Sequence, residues 1–152
     1  MKKILFVCTG NTCRSPMAQY LFNDKISTMN LQSDYVSSSC GTNTIDGLHM
    51  SDNSFLTLSE SCIDASSFRS MPVTKAHLND AFLVLTMQSS HKNAINSLYS
   101  GYDNKIFTLS EFVNESKEIS DPYGMPIYQY KKCALQISDL LDKLIIKLER
   151  EN

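Results

Sequence analysis

The chain has no Cys-x-x-Cys pair, no long apolar run and almost no net charge, and each lack closes off a class of protein. Its five cysteines are odd in number and irregularly spaced, unlike a secreted disulfide framework. His49, His77 and His91 stand far apart and share no ligand spacing with the cysteines, so neither a metal nor another cofactor is expected. All three are expected to be ordinary surface or loop residues. No apolar stretch approaches the roughly 20 residues a membrane span requires. Met1-Lys2-Lys3 precedes an apolar core too short for a signal peptide, and the segment reads better as a first strand. A net charge of −2 argues against nucleic acid or an anionic membrane as the main partner. No repeat or low-complexity linker divides the 152 residues, so one domain over residues 1–152, cytoplasmic and monomeric, is expected.

What is present alternates between strand and helix patterns. Lys3 to Cys8 reads as a buried parallel strand, and Arg14 to about Ile26 as a helix with Met17, Tyr20, Leu21 and Met29 inward. A weaker strand covers Asp34 to Ser39. Ser51 is placed to cap a helix over Asn53 to Glu60, with Phe55, Leu56 and Leu58 available for burial, and Thr74 to cap a shorter one holding Ala76 and Leu78. Ala81 to Leu85 reads as a second buried strand. A helix from Ser89 or Ser90 through Leu98 and a short strand over Lys105 to Thr108 follow. From Pro126 onward, Ile127, Tyr130, Ala134, Ile137, Leu141, Leu144 and Leu148 keep a three-and-four spacing, which predicts a long amphipathic closing helix. Such alternation implies an α/β fold, a parallel sheet with helices on both faces.

Cys8-Thr9-Gly10-Asn11-Thr12-Cys13-Arg14-Ser15-Pro16 joins the first strand to the first helix. A turn into a helix N-terminus gathers unpaired backbone N–H groups, and the helix dipole adds to their pull on an anion. Arg14 can clamp two oxygens of a tetrahedral anion, and Cys8 would lie beneath its centre. Thiols at helix N-termini or beside arginine ionise more readily than free ones, so a thiolate is expected. The chemistry implied is phosphoryl transfer to sulfur, giving a phosphocysteine. A buried structural cysteine is the ordinary fate of the residue type, but the combined pattern outweighs it here. Asn11 tolerates left-handed backbone and can tie the loop to itself. Ser15 can donate to the sulfur, or act only as a local cap.

This sequence resembles the low-molecular-weight protein tyrosine phosphatases. The resemblance rests on Cys-x5-Arg-Ser near the N-terminus, on Asp121-Pro122-Tyr123 far downstream, and on Ser39-Cys40-Gly41-Thr42, Gly47 with Met50, Ile63-Asp64-Ala65-Ser66 and Leu83-Val84-Leu85-Thr86-Met87. It covers nearly the whole chain. Relatives usually have alanine in place of Cys40 and aspartate in place of Phe82. The resemblance implies a three-layer αβα fold whose four strands run in the order 2-1-3-4. It makes Cys8 the nucleophile, Arg14 the phosphate clamp and Asp121 the general acid, which then activates water in a second step. Thr9, Gly10, Asn11, Thr12, Cys13 and Ser15 would complete the phosphate-binding loop. Cys13 would be either a redox partner protecting Cys8 or a small filler of the loop. Cys40, Cys62 and Cys133 look like ordinary small apolar residues.

Thr12 bears on the substrate. Tyrosine-directed members commonly carry an aliphatic residue there, whereas a hydroxyl favours a polar planar group. The loop resembles that of the bacterial protein-arginine phosphatase branch, which implies phosphoarginine on protein substrates, with phosphotyrosine as the alternative. Tyr123, which the resemblance places along the pocket mouth, could stack on a phenyl ring or a guanidinium plane. Arsenate reductases share the scaffold, but the thioredoxin-coupled ones use two further cysteines near the middle of the chain, and Met87 to Leu98 has none. A non-catalytic phosphate-binding module would have no need of Cys8, Arg14 and Asp121 together.

Overall fold

Alternate residues of the first strand, β1 (Lys2–Cys8), serve two separate cores. Ile4, Phe6 and Cys8 belong to one, Leu5 and Val7 to the other, and all five are buried. A strand apolar on both faces needs a helix layer on each side, and the computed structural model, which describes residues 1–152, supplies them. Against the first face lie α1 (Arg14–Thr28), α2 (Asp52–Glu60), the short α5 (Leu109–Phe112) and the closing helix α6 (Ile127–Arg150). Leu78 of α3 (Lys75–Asp80) and Ile95 of α4 (Ser89–Leu98) cover the second. The strands β2 (Tyr35–Gly41), β1, β3 (Leu83–Thr86) and β4 (Ile106–Thr108) run parallel in the order β2-β1-β3-β4. The chain leaves β1 toward one edge of the sheet and β3 toward the other. A crevice therefore opens beyond the carboxyl ends of these two neighbours, where open α/β sheets place their ligands.

Helix α6 buries Tyr130, Cys133, Ile137, Leu140, Leu141, Leu144, Ile145 and Leu148 along one side. Five residues of the predicted stripe are among them; Ile127 and Ala134 are only partly buried, Cys133 takes the inward place expected of Ala134, and Leu140 and Ile145 widen the stripe, as a helix lying across other helices requires. Thr74 caps α3 as predicted, accepting from the His77 N–H while the His77 ring accepts from the N–H of Thr74. Ser51 holds the N-cap position of α2, but its hydroxyl donates to Ser54 instead of accepting from the helix backbone.

Several expectations are corrected. Met29 is half-exposed just past the end of α1, and Ala18, Phe22 and Ile26 take the inward positions while Tyr20 and Leu21 are only partly buried. Leu56 faces solvent because only Leu58 and partly buried Phe55 point from α2 to the core. The third strand starts at Leu83; Phe82 lies outside it, half-exposed, with Lys2 Nζ 4.7 Å from its ring centre. Cys62 is exposed in a left-handed turn after α2, with φ 61°, and is no core residue. Helix α5 was not foreseen; Thr108 caps it through the N–H of Glu111, and the Glu111 carboxylate accepts from the N–H of Thr108.

Candidate active site

The loop from Thr9 to Cys13 leaves β1 at the crevice with its carbonyls turned outward. Cys8, Thr9 and Thr12 accept through their carbonyls from the N–H groups of Thr42, Asn43 and Ser51. None of the backbone N–H groups from Thr9 to Ser15 finds an acceptor within the protein. A run of free N–H groups at the start of a helix is an anion-binding concavity. No acidic side chain stands in the first turn of α1 to satisfy the helix dipole internally.

The loop holds this shape through one side chain. Asn11 is fully buried and has φ 54°, the left-handed conformation that asparagine tolerates better than most residues. Its Nδ2 donates to Ser15 Oγ and to Ser39 Oγ, both at 2.9 Å, and its Oδ1 accepts from the N–H of Met71 at 2.9 Å. Ser39 donates onward to Gln19 Oε1 at 2.6 Å. Ser15 Oγ accepts from Asn11, and its own proton has two acceptors in reach, Cys8 Sγ at 2.9 Å and the Cys40 carbonyl at a longer 3.5 Å, so a bond to the sulfur is the shorter of the two. Ser15 is thus more than a local cap. Gly41 is required where the loop passes β2: a Cβ there would stand 2.5 Å from the carbonyl oxygen of Thr9 and 3.1 Å from the Cβ of Asn11.

Arg14 is buried, with its side chain 3% exposed, in the first turn of α1. Its Nη1 donates to Gln88 Oε1 at 2.7 Å and to the carbonyl of Ile119 at 2.8 Å, which uses both hydrogens of that nitrogen. Nε and Nη2 remain for a ligand, the pair that makes a two-point contact with an oxyanion. Asp121, 48% exposed, approaches from the far side, its Oδ2 3.7 Å from Arg14 Nη2 and its Oδ1 accepting from the N–H of Tyr123 at 3.0 Å. The segment just before it is tied to the residues that follow β3. Ile119 donates through its N–H to the Met87 carbonyl, and the Glu118 carboxylate accepts from the N–H and hydroxyl of Ser89.

Cys8, Thr9, Gly10, Thr12, Cys13, Arg14, Asp121 and Tyr123 line one cavity of about 220 Å³. Every residue foreseen for direct contact with a phosphate or its leaving group faces this space, while Asn11 and Ser15 stand behind it as supports. Tyr123, 74% exposed, forms the rim. A larger hollow of about 410 Å³ lies between Val113-Asn114 and the last turns of α6, but it is lined by surface residues and holds none of these groups. Cys13 Sγ donates to Ser51 Oγ at 3.3 Å and lies 3.9 Å from the Tyr130 hydroxyl. Burial, reinforced by Cys13, raises the Tyr130 phenol to about 12, so at neutral pH it stays a donor.

Two residues of the site were missed from sequence, and one expectation about them is overturned. His91 is buried, not a surface or loop residue. Its Nδ1 accepts from the N–H of Gln88 at 3.1 Å, and its Nε2 lies 2.9 Å from Thr9 Oγ1. Burial first, and then the charge of Arg14, lower its pKa to about 4, so the ring is neutral at pH 7. Gln88, which ties His91 to Arg14, was not singled out either. Both follow β3 directly at the crevice; a polar Gln-x-x-His after an apolar strand is the one local signal that could have marked them.

A family model described as low molecular weight phosphotyrosine protein phosphatase matches residues 3–152. A protein-arginine-phosphatase of Geobacillus stearothermophilus is 39% identical over 150 residues, covering 98% of this chain and 97% of its own. A low molecular weight protein-tyrosine-phosphatase, PtpB, of Staphylococcus epidermidis is 35% identical, with 97% and 99% of the two chains covered. Among solved structures, a low molecular weight protein tyrosine phosphatase from T. tengcongensis superposes with a TM-score of 0.92 at 43% identity, covering 97% of this chain and 99% of that one.

Proposed function

The chain belongs to the low molecular weight phosphotyrosine protein phosphatase family, and from that premise we propose that it hydrolyses phosphorylated side chains of proteins, phosphoarginine foremost, through a phosphocysteine on Cys8. The observation that carries the reading is the shared cavity of Cys8, Arg14 and Asp121, floored by N–H groups with no acceptor in the protein. The whole chain, residues 1–152, acts as the one phosphatase domain, an assignment supported by the reach of the family match.

A phosphoryl group in the loop is held by the free N–H groups and by Nε and Nη2 of Arg14. The Cys8 sulfur attacks phosphorus from below as a thiolate, the bond from phosphorus to the substrate nitrogen or oxygen breaks, and Asp121 delivers a proton to the departing atom. Water then enters, gives its proton to Asp121 and attacks phosphorus. The P–S bond breaks and inorganic phosphate leaves. Ser15 O–H stabilises the sulfur as it regains its electron pair, which is where the 2.9 Å contact acts.

For the substrate, the Thr12 side chain is the supporting feature. It lies in the cavity lining and sets a hydroxyl where an aliphatic wall would suit a phenyl ring. Asp121, on the same lining, can accept from a guanidinium as well as donate to it. Phosphotyrosine is the second reading, supported by relatives that carry the tyrosine-phosphatase name; the exposed Tyr123 ring at the mouth suits either group. The test is a paired assay on phosphoarginine and phosphotyrosine peptides. The native protein should prefer phosphoarginine and Thr12→Ile should shift the ratio toward phosphotyrosine; preference for phosphotyrosine before any substitution overturns the choice. Cys8→Ser should lose turnover and keep phosphate binding, and near-native turnover in it would exclude the covalent route.

A further inference from the structure

His91 takes no part in the chemistry just described, yet it joins the phosphate loop to helix α4 across 82 residues of sequence. Its tautomer follows from its neighbours. The Gln88 N–H donates to Nδ1, so Nδ1 carries no hydrogen and the ring proton is on Nε2. Nε2–H therefore donates to Thr9 Oγ1 at 2.9 Å. With Oγ1 accepting from the ring and no other group of the protein bonded to it, the Thr9 hydroxyl hydrogen is left to point elsewhere, and Thr9 lines the cavity.

We propose that His91 is a positioning residue for the phosphate site: by donating to Thr9 Oγ1 it turns the Thr9 hydroxyl into an added donor toward the bound oxyanion. The proposal rests on the reading of the Cys8 loop as a phosphate site. A neutral ring suits the task. The groups that bear on its charge are Arg14, which opposes a second cation, and Asp121 and Glu118, which favour one; burial and Arg14 prevail. Through Gln88 the same ring is coupled to Arg14, since the residue whose N–H meets Nδ1 also accepts from the guanidinium with its side chain. Glutamine at position 91 could keep the Nε2 donor, whereas phenylalanine keeps the shape and has no donor.

The experiment measures inorganic phosphate binding by calorimetry, which needs no turnover, for the unmodified protein, Thr9→Val, Thr9→Ser, His91→Phe, His91→Gln and the double variant Thr9→Val/His91→Phe. One hydrogen bond to a charged ligand corresponds to roughly a tenfold change in Kd. Thr9→Val and His91→Phe should each weaken phosphate about tenfold. Thr9→Ser and His91→Gln should stay within about threefold of the parent, and the double variant should be no weaker than the weaker single. Multiplying losses in the double variant would overturn the proposal. So would His91→Phe lowering only the thermal midpoint with phosphate affinity unchanged. If His91→Phe does not fold, the Thr9 pair decides: equal affinity in Val and Ser variants refutes the oriented hydroxyl, and loss in Val alone upholds it. An unmodified protein that binds no phosphate sinks the site reading itself, a result distinct from every variant outcome.

Discussion

Replacing Asn11 by alanine removes a buried side chain that ties the candidate phosphate loop both to β2 and to the segment before α3. Three hydrogen bonds disappear together, two donated to the hydroxyls of Ser15 and Ser39 and one accepted from the Met71 N–H. Each such bond is worth about 1 kcal/mol net, and more where a buried partner is left unmatched. Alanine must also hold the left-handed φ of 54°, which costs about 1 kcal/mol more than it costs asparagine. The sum is a loss of roughly 3–5 kcal/mol, a large share of the 5–15 kcal/mol that holds a typical domain folded. Urea denaturation followed by circular dichroism measures it. Asn11→Gly separates the two contributions, because glycine loses the same hydrogen bonds but adopts the left-handed conformation freely. The glycine variant should be more stable than the alanine variant by about 1 kcal/mol, and both should lose turnover as Ser15 loses its donor and the hydroxyl beside Cys8 swings free. A loss under 1 kcal/mol for Asn11→Ala, or alanine more stable than glycine, would refute this account of the loop.

Three further outcomes are expected. Gly41→Ala places a Cβ 2.5 Å from the Thr9 carbonyl oxygen, a backbone atom that cannot swing aside, so thermal melting should show a loss of roughly 1–3 kcal/mol and phosphate affinity should fall with it; an unshifted midpoint would mean the loop gives way freely. Asp121→Asn should slow turnover by a factor on the order of 10²–10⁴ on substrates with poor leaving groups and much less on activated aryl phosphates, and an equal rate on both classes would remove Asp121 as the proton donor. His91, with its pKa lowered from 6.5 to about 4, takes up a proton in the unfolded chain before it does so in the fold. Its contribution is therefore complete above pH 6.5 and drains away as pH falls toward 4, on the order of 3 kcal/mol in all. The stability difference between the native protein and His91→Gln should shrink across that window, and a difference constant from pH 7 to pH 4 would contradict it.

Features encoded by neighbours along the chain were legible in the residues alone. The loop from Cys8 to Arg14 is one: a thiol, turn residues and an arginine inside a single turn of chain mark a candidate anion site by local geometry, and no distant partner is needed to see it. The apolar strands β1 and β3, the Thr74 cap and the stripe of α6 are others, because periodicity and capping are short-range rules. Asp121 was reached only through the resemblance, since an Asp-Pro pair alone is a turn signal.

Tertiary structure decided the rest. Periodicity marks which side of an element is apolar but not where the layer above it stops, so the pattern points Met29, Leu56 and Phe82 inward although they lie at margins the packing leaves open. Gln88, His91, the Ile119 carbonyl and Ser39 serve the site from other elements, and nothing near them in sequence names the partners they meet. His91 shows the reason. A histidine's role depends on what each ring nitrogen faces, and here those faces belong to α4 and to a loop 82 residues away. The candidate anion site was written in consecutive residues; the groups packed around it became visible only when the sheet brought the ends of β1 and β3 side by side.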